Sequence, residues 1–147
     1  MRTIVINKPK HEVFRYLTFL KNQELFSKWV MTDPNMKKEF RGTDGTVGFV
    51  YAWDSENKGA GKGEQEIIGF IDGEKIDVEV RFERPFKNTA KTPFETKAIS
   101  ENQTQVTWGM IGKNNYPMNL MNAFISGLLG KDLEISLNNL KDILEKR

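Results

Sequence analysis

Through the middle of this chain apolar residues fall at every second position, and towards both ends they fall at every third or fourth. The opening TIVINKP alternates and predicts a short first strand, stopped by Asn7 and Pro9, residue types that start turns and helices. Val13, Phe14 and Leu17 in KHEVFRYLTF, and Leu25, Phe26 and Trp29 in NQELFSKWV, have helical spacing. Two short helices are therefore predicted after strand one. Beyond Pro34 the runs KKEF, TVGFVYAW, GEQEIIGFI, EKIDVEVRF, KTPFETKAI and TQVTWGMIG each have strand length, with turn residues between them. The predicted order is a strand, two helices, six strands and a long helix.

Asp72-Gly73 separates two of these runs, and Asp-Gly supplies the positive backbone angles of a tight two-residue hairpin loop. Counting outward, Ile71 faces Glu74, and Gly69 pairs with Ile76, Ile67 with Val78 and Gln65 with Val80 on one face. Ile68 with Asp77, Glu66 with Glu79 and Glu64 with Arg81 occupy the other. The first face is apolar except for Gln65 and turns inward, leaving Glu64, Asp77, Glu79 and Arg81 to water. Glu66 opposite Glu79 is unfavourable in this register, which a three-residue loop with a bulge would relieve. The same alternation puts Phe49, Tyr51 and Trp53 on one face of their strand, Thr92, Phe94, Thr96 and Ala98 on one face of theirs, and Val106, Trp108 and Met110 likewise.

A sheet with one apolar face needs a cover, and only residues 115–147 form a segment long enough to span several strands. Leu133, Leu137, Leu140 and Leu144 make a single stripe, so the C-terminal half of that helix packs on the sheet. Residues 118–129 differ: Met118, Leu120, Met121, Ala123, Phe124, Ile125, Leu128 and Leu129 cover most of the circumference, more than one sheet can bury. Gly127 and Gly130 fall in the same region, each weakening a helix by about 1 kcal/mol relative to alanine.

Composition limits the function classes. A chain of 147 residues closes one core without staples, so residues 1–147 read as a single domain. The absence of cysteine removes disulfides, thiolate catalysis and Cys-based metal sites and agrees with a reducing compartment. The start lacks the apolar run of a signal peptide and no run approaches a membrane span. A cytoplasmic protein with no membrane span is expected. Basic and acidic residues number 22 and 20 and are interleaved, for a net charge of +2. Nucleic-acid binding is not expected, because it needs cations gathered on one face.

The predicted order, with INKPKHEVF at the start, GAGKGE, RPF after a long strand, the VTW strand and the closing GKDLEISLNNLKDILE, resembles the SRPBCC superfamily. These are the START and Bet v 1-like helix-grip proteins, and the likeness is nearest to the polyketide cyclase/dehydrase-like members. The resemblance implies an α+β helix-grip fold: a curved antiparallel β-sheet wrapped around a long C-terminal α-helix, with two short helices after strand one and an apolar cavity between helix and sheet. It would account for the apolar band of residues 118–129, and for glycines that let the helix bend or a neighbour approach.

The usual catalytic groups are scarce. His11 is the single histidine and sits between Lys10 and Glu12, so a His-based metal site or triad has no second imidazole. GAGKGE lacks the Gly-Lys-Ser/Thr ending of a phosphate loop and joins two strands. No metal and no cofactor are expected, and no catalytic residue is assigned. Glu64, Glu66, Asp77 and Glu79 would turn inward, with raised pKa values, only if the hairpin slipped by one residue. That slip would expose Ile67, Ile76, Val78 and Val80. The candidate cavity residues are Tyr51, Gln65, Thr92 and Thr96 as polar groups, with Trp53, Phe82, Phe94, Trp108, Met110, Met121 and Phe124 as the apolar wall. Such a lining suits a hydrophobic or amphipathic small molecule, such as a lipid, a quinone-like ring or a polyketide, held by a monomer or homodimer. The alternatives are a cyclase or dehydratase in which Tyr51 or a carboxylate moves a proton, and an interaction protein of the co-chaperone or toxin type that works through the outer sheet face.

Overall fold

A computed structural model describes residues 2–28, 35–56, 61–84, 87–109, 111–112 and 118–146, with the backbone alone at 84, 88, 111–112 and 118–130. The first strand, β1 (Arg2–Ile6), leads into helix α1 (Lys10–Thr18), a 3-10 turn (Leu20–Asn22) and helix α2 (Gln23–Phe26). The strands β2 (Lys37–Arg41), β3 (Val50–Asp54), β4 (Lys62–Ile71), β5 (Lys75–Arg84), β6 (Asn88–Lys91), β7 (Phe94–Ser100), β8 (Gln103–Trp108) and β9 (Ile111–Gly112) follow, and helix α3 (Met118–Glu145) closes the chain. The strands form one antiparallel sheet in the order β1-β8-β7-β5-β4-β3-β2, with β6 and β9 extending the β5 side. This is the expected α+β arrangement of a curved sheet, short helices after β1 and a long C-terminal helix.

Among the described residues eight strands follow the short helices where six were predicted, and the register explains the difference. Glu79 pairs with Lys91 on β6, and Ile76 pairs with Phe94 on β7. The two segments hold one unbroken register along β5. Pro93 lies between them, and a proline has no N–H to give to a ladder. The backbone N–H of Thr92 still donates to Val78 at 2.8 Å. Strands β8 and β9 likewise continue one register against β7 and β6.

The β4–β5 hairpin corrects the predicted loop. Glu74 N–H donates to Ile71 O, and Ile71 pairs with Lys75 rather than Glu74, so three residues form the loop. Only Gly73 adopts positive φ there, which suits the third position of a type II turn; a two-residue I′ turn would have put Asp72 at positive φ as well. Phe70, not Gly69, then faces Ile76, and Gly69, not Ile68, faces Asp77. A bulge between Ile67 and Gly69 restores the predicted pairs Ile67–Val78, Glu66–Glu79, Gln65–Val80 and Glu64–Arg81. Loop and bulge each add one residue, and their effects on register cancel below Ile67.

Ile67, Ile76, Val78 and Val80 are buried, while Glu64, Asp77, Glu79 and Arg81 keep a quarter to a third of their side chains in water. The buried face meets Leu133, Leu137, Leu140 and Leu144 of α3 and Val13, Tyr16 and Leu17 of α1 in one core. Helix α3 runs for 28 residues without interruption through Gly127 and Gly130, about 42 Å at 1.5 Å per residue. Its C-terminal half rests on β1 and α2. Helix α2 is only four residues long, with Phe26 buried but Leu25 at 55% exposure, contrary to the predicted apolar face; Trp29 lies outside the described residues.

Candidate ligand-binding site

Strands β3, β4 and β5 place Tyr51, Gln65 and Val80 side by side on the buried face, because Tyr51 pairs with Gln65 and Gln65 with Val80. One step along, Trp53 pairs with Gly63 and Gly63 with Phe82. A Cβ at Gly63 would lie 2.6 Å from the Arg81 carbonyl oxygen and 3.1 Å from the Trp53 ring. Only glycine admits that close approach, and it leaves Trp53 room to meet Phe82 edge to face at 6.0 Å. Both rings are half-buried.

The polar members of this face end on α2. Tyr51 is fully buried, and its hydroxyl donates to Glu24 Oε1 at 2.9 Å. Burial first, then the hydrogen bond and charge of Glu24, push the phenol pKa far above its ordinary value. Tyr51 is thus a hydrogen-bond donor and not a base. Lys38 Nζ reaches the same Glu24 oxygen at 3.2 Å, so that carboxylate is already matched by a cation. Gln65 Nε2 donates to Gln23 Oε1 at 3.2 Å, and the two residues are 6% and 5% exposed. Gln23 and Glu24 are absent from the sequence-based candidates. The signal was there, since Gln23 stands three residues before buried Phe26 and so shares its helical face.

The remaining candidates are distributed differently. Phe94 and Trp108 stack at 4.6 Å and 18°, and Phe26 meets both edge on at 6.3 and 5.9 Å. They form the aromatic centre of the core nearer β7 and β8. Thr96 is buried, and its hydroxyl donates to the Gly73 carbonyl at 2.7 Å, where it fastens the β4–β5 turn. Thr92 is buried beside the Pro93 step. Met110 and the side chains of Met121 and Phe124 lie outside the described residues, as does the rest of the apolar band over 118–129. His11 is exposed on α1. Among the described residues no group of three or more His, Asp or Glu side chains could hold a metal ion, and no helix is long and apolar enough to cross a membrane.

The opposite face is charged. Arg81 donates to Glu64 at 2.6 Å, Glu66 at 2.7 Å and Glu79 at 3.1 Å, and Arg41 adds a second cation to Glu64 at 3.0 Å. The Arg81 hydrogen bond holds the Glu64 carboxyl below its usual range. A groove of about 680 Å³ runs along β2–β5, lined by Glu39, Arg41, Glu64 and Arg81 among others. It is open and polar, and no predicted site residue except Trp53 touches it.

No family model matches this chain, and no curated protein matches it. Solved structures match it over nearly its whole length. Aha1 from Colwellia psychrerythraea, solved as a dimer, is 16% identical with a TM-score of 0.64 across 98% of this chain and 93% of that one. MLL2253 from Mesorhizobium loti is 15% identical with a TM-score of 0.63 across 99% and 98%. DynU16, a protein of the dynemicin biosynthetic locus, is 12% identical with a TM-score of 0.60 across 98% of this chain and 46% of its own, so this chain spans about half its length. Likeness at such low identity is a likeness of fold, and the fold shared is the helix-grip arrangement of a curved antiparallel sheet with a C-terminal helix.

Proposed function

We propose that this protein binds a hydrophobic or amphipathic small molecule between the inner face of β3–β5 and the N-terminal half of α3. The helix-grip fold typically binds small molecules. The observation that carries the reading is the Trp53–Phe82 pair, two large rings packed against the core but not closed over by it, with Trp53 also at the border of the open groove, in the strand positions next to the buried Tyr51 and Gln65. An apolar wall with a few neutral polar groups is the usual composition of a small-molecule pocket. The apolar surplus of residues 118–129 supports it from the helix side. Lipids, quinone-like rings and polyketides all have suitable bodies. A cyclase or dehydratase activity has less support, because Tyr51 is held protonated and Glu24 is occupied by Lys38.

Native mass spectrometry of protein purified without denaturation tests the proposal, alongside uptake of an apolar fluorescent probe. A copurified small molecule or saturable uptake is expected, and Met121→Trp should abolish uptake at little cost in stability. A protein that takes up no probe, and that Met121→Trp destabilises by about 1 to 3 kcal/mol as an overpacked core would, has no such cavity. Macromolecular contact through the outer face is the second reading, favoured by the charged groove along β2–β5.

A further inference from the structure

The sheet path ends on β1 at one side and on β2 at the other. An open strand edge carries a row of backbone N–H and C=O groups that pair with another strand unless something caps them. On β1 helix α3 does the capping: Lys141 Nζ donates to the Val5 carbonyl at 2.8 Å, and the Asn7 N–H just past the strand donates to Glu145 Oε2 at 2.8 Å. Among the described residues nothing comparable meets the edge of β2. Strand β3 is its only ladder partner, and all five residues from Lys37 to Arg41 are exposed. Phe40 is 39% exposed although its ring packs on Phe49 and Tyr51.

The side chains say which strand fits there. A second copy joining antiparallel about a two-fold axis carries each face of the sheet on into the same face of its partner. Opposed residues must then share a face, so the axis passes through a residue of β2 and not between two residues. Centred on Lys37, Lys38, Glu39 or Arg41, it would set a charge against its own copy, which is destabilising. Centred on Phe40, it brings the two Phe40 rings together on the inner side and sets Glu39 against the partner's Arg41 on the outer side, twice by symmetry. Both charges are accessible. Glu39 is exposed, and Arg41 bonds Glu64 at 3.0 Å with 55% of its side chain in water. A guanidinium has five N–H donors, enough for Glu64 and the partner's Glu39 together.

We propose that β2 is a dimer edge, on which a second copy of this chain pairs antiparallel about Phe40 and joins the two sheets into one. The proposal is independent of the ligand reading. Because Glu39 and Arg41 line the open groove, pairing lays the grooves of the two copies side by side across the axis. The ladder is only about five residues long, less than a permanent interface needs, so the dimer should form and dissociate reversibly.

Sedimentation velocity of the intact protein from about 10 μM to about 1 mM tests this, with a shift from monomer towards dimer expected by mass action. Hydrogen exchange at the two ends of that range should show added protection at the amides of β2. Glu39→Arg and, separately, Arg41→Glu each set like charges opposite one another at both symmetric contacts, and should weaken the dimer about tenfold or more. Glu39→Arg combined with Arg41→Glu restores opposite charges and should restore the dimer. A protein that stays monomeric to about 1 mM overturns the proposal, whether or not another protein's strand takes the edge. A dimer with added protection only outside β2, one that Glu39→Arg leaves unchanged, or a folded double variant that stays as weak as the single ones would overturn it equally. The exchange measurement on the unaltered protein decides the matter even where a variant fails to fold.

Discussion

Tyr51 and Gln65 face each other across β3 and β4, and each passes its polar end to a neighbouring residue of α2, Tyr51 to Glu24 and Gln65 to Gln23. A four-residue helix is thereby tied to the middle of the sheet by one buried and one part-buried hydrogen bond. Its position over the inner face depends on polar contacts as well as on Phe26.

The Tyr51 bond gives the fold an alkaline limit. The folded phenol pKa is raised, so the stabilisation is whole below the unfolded phenol pKa of about 10 and is lost as pH rises above it towards the folded value. Between about pH 8 and about pH 11 the natural protein should lose more stability than Tyr51→Phe, measured by urea denaturation. Equal losses in the two proteins would mean that Tyr51 ionises freely in the fold.

Arg81 should matter through the charges that it separates. Glu66 stands directly opposite Glu79, and Arg81 bonds both as well as Glu64. Arg81→Gln should cost about 1 kcal/mol near neutral pH, a modest figure because a third of the side chain is in water and the pairs are screened. Glu64 has a lowered pKa, so its contribution is present above the unfolded carboxylate value of about 4.3 and disappears as pH falls through the folded one. The gap between variant and natural protein should therefore shrink in acid. A gap that widens in acid would contradict the account of this cluster.

Gly63 sits where a neighbouring strand approaches closely. A methyl group there would meet the Arg81 carbonyl at 2.6 Å, an immovable backbone atom in a neighbouring strand. Gly63→Ala should destabilise by about 1 to 3 kcal/mol and shift Trp53 fluorescence, because the ring is displaced from Phe82. An unchanged melting curve would show that β4 and β5 can part there freely.

Leu137 tests the core under α3. It is 1% exposed in a stripe with Leu133, Leu140 and Leu144, and Leu137→Ala should cost about 2 to 5 kcal/mol. A cost below about 1 kcal/mol would mean that the site collapses without a cavity.

The sequence pattern carried the fold well where one physical rule dominated. Period-two alternation put Ile67, Ile76, Val78 and Val80 inside, and the leucine stripe placed α3. It carried less where two local effects offset one another. The Asp72-Gly73 loop gained Glu74, the bulge at Ile68 absorbed the change, and Glu66 still met Glu79, so relief comes from Arg81 and not from a shifted register. The candidate site was legible on the sheet side only. Alternation along β3 and β4 turns Tyr51 and Gln65 inward, and the three-residue spacing of Gln23 and Phe26 puts Gln23 on the buried side of α2, but nothing in so short a helix says which strand residues Gln23 and Glu24 meet. Thr96 shared the inward face as expected, yet a hairpin turn had use for its hydroxyl.

The central claim is that an apolar molecule sits on the inner face, and one measurement tests it directly: ¹H–¹⁵N correlation spectra of the labelled protein titrated with 2-methylnaphthalene. The account predicts saturable shifts of the Gln65 and Gln23 side-chain amides and the Trp53 indole, with the amides of Arg41, Lys62 and Glu83 along the outer groove left in place. Shifts confined to the outer groove, or none at all, would contradict it.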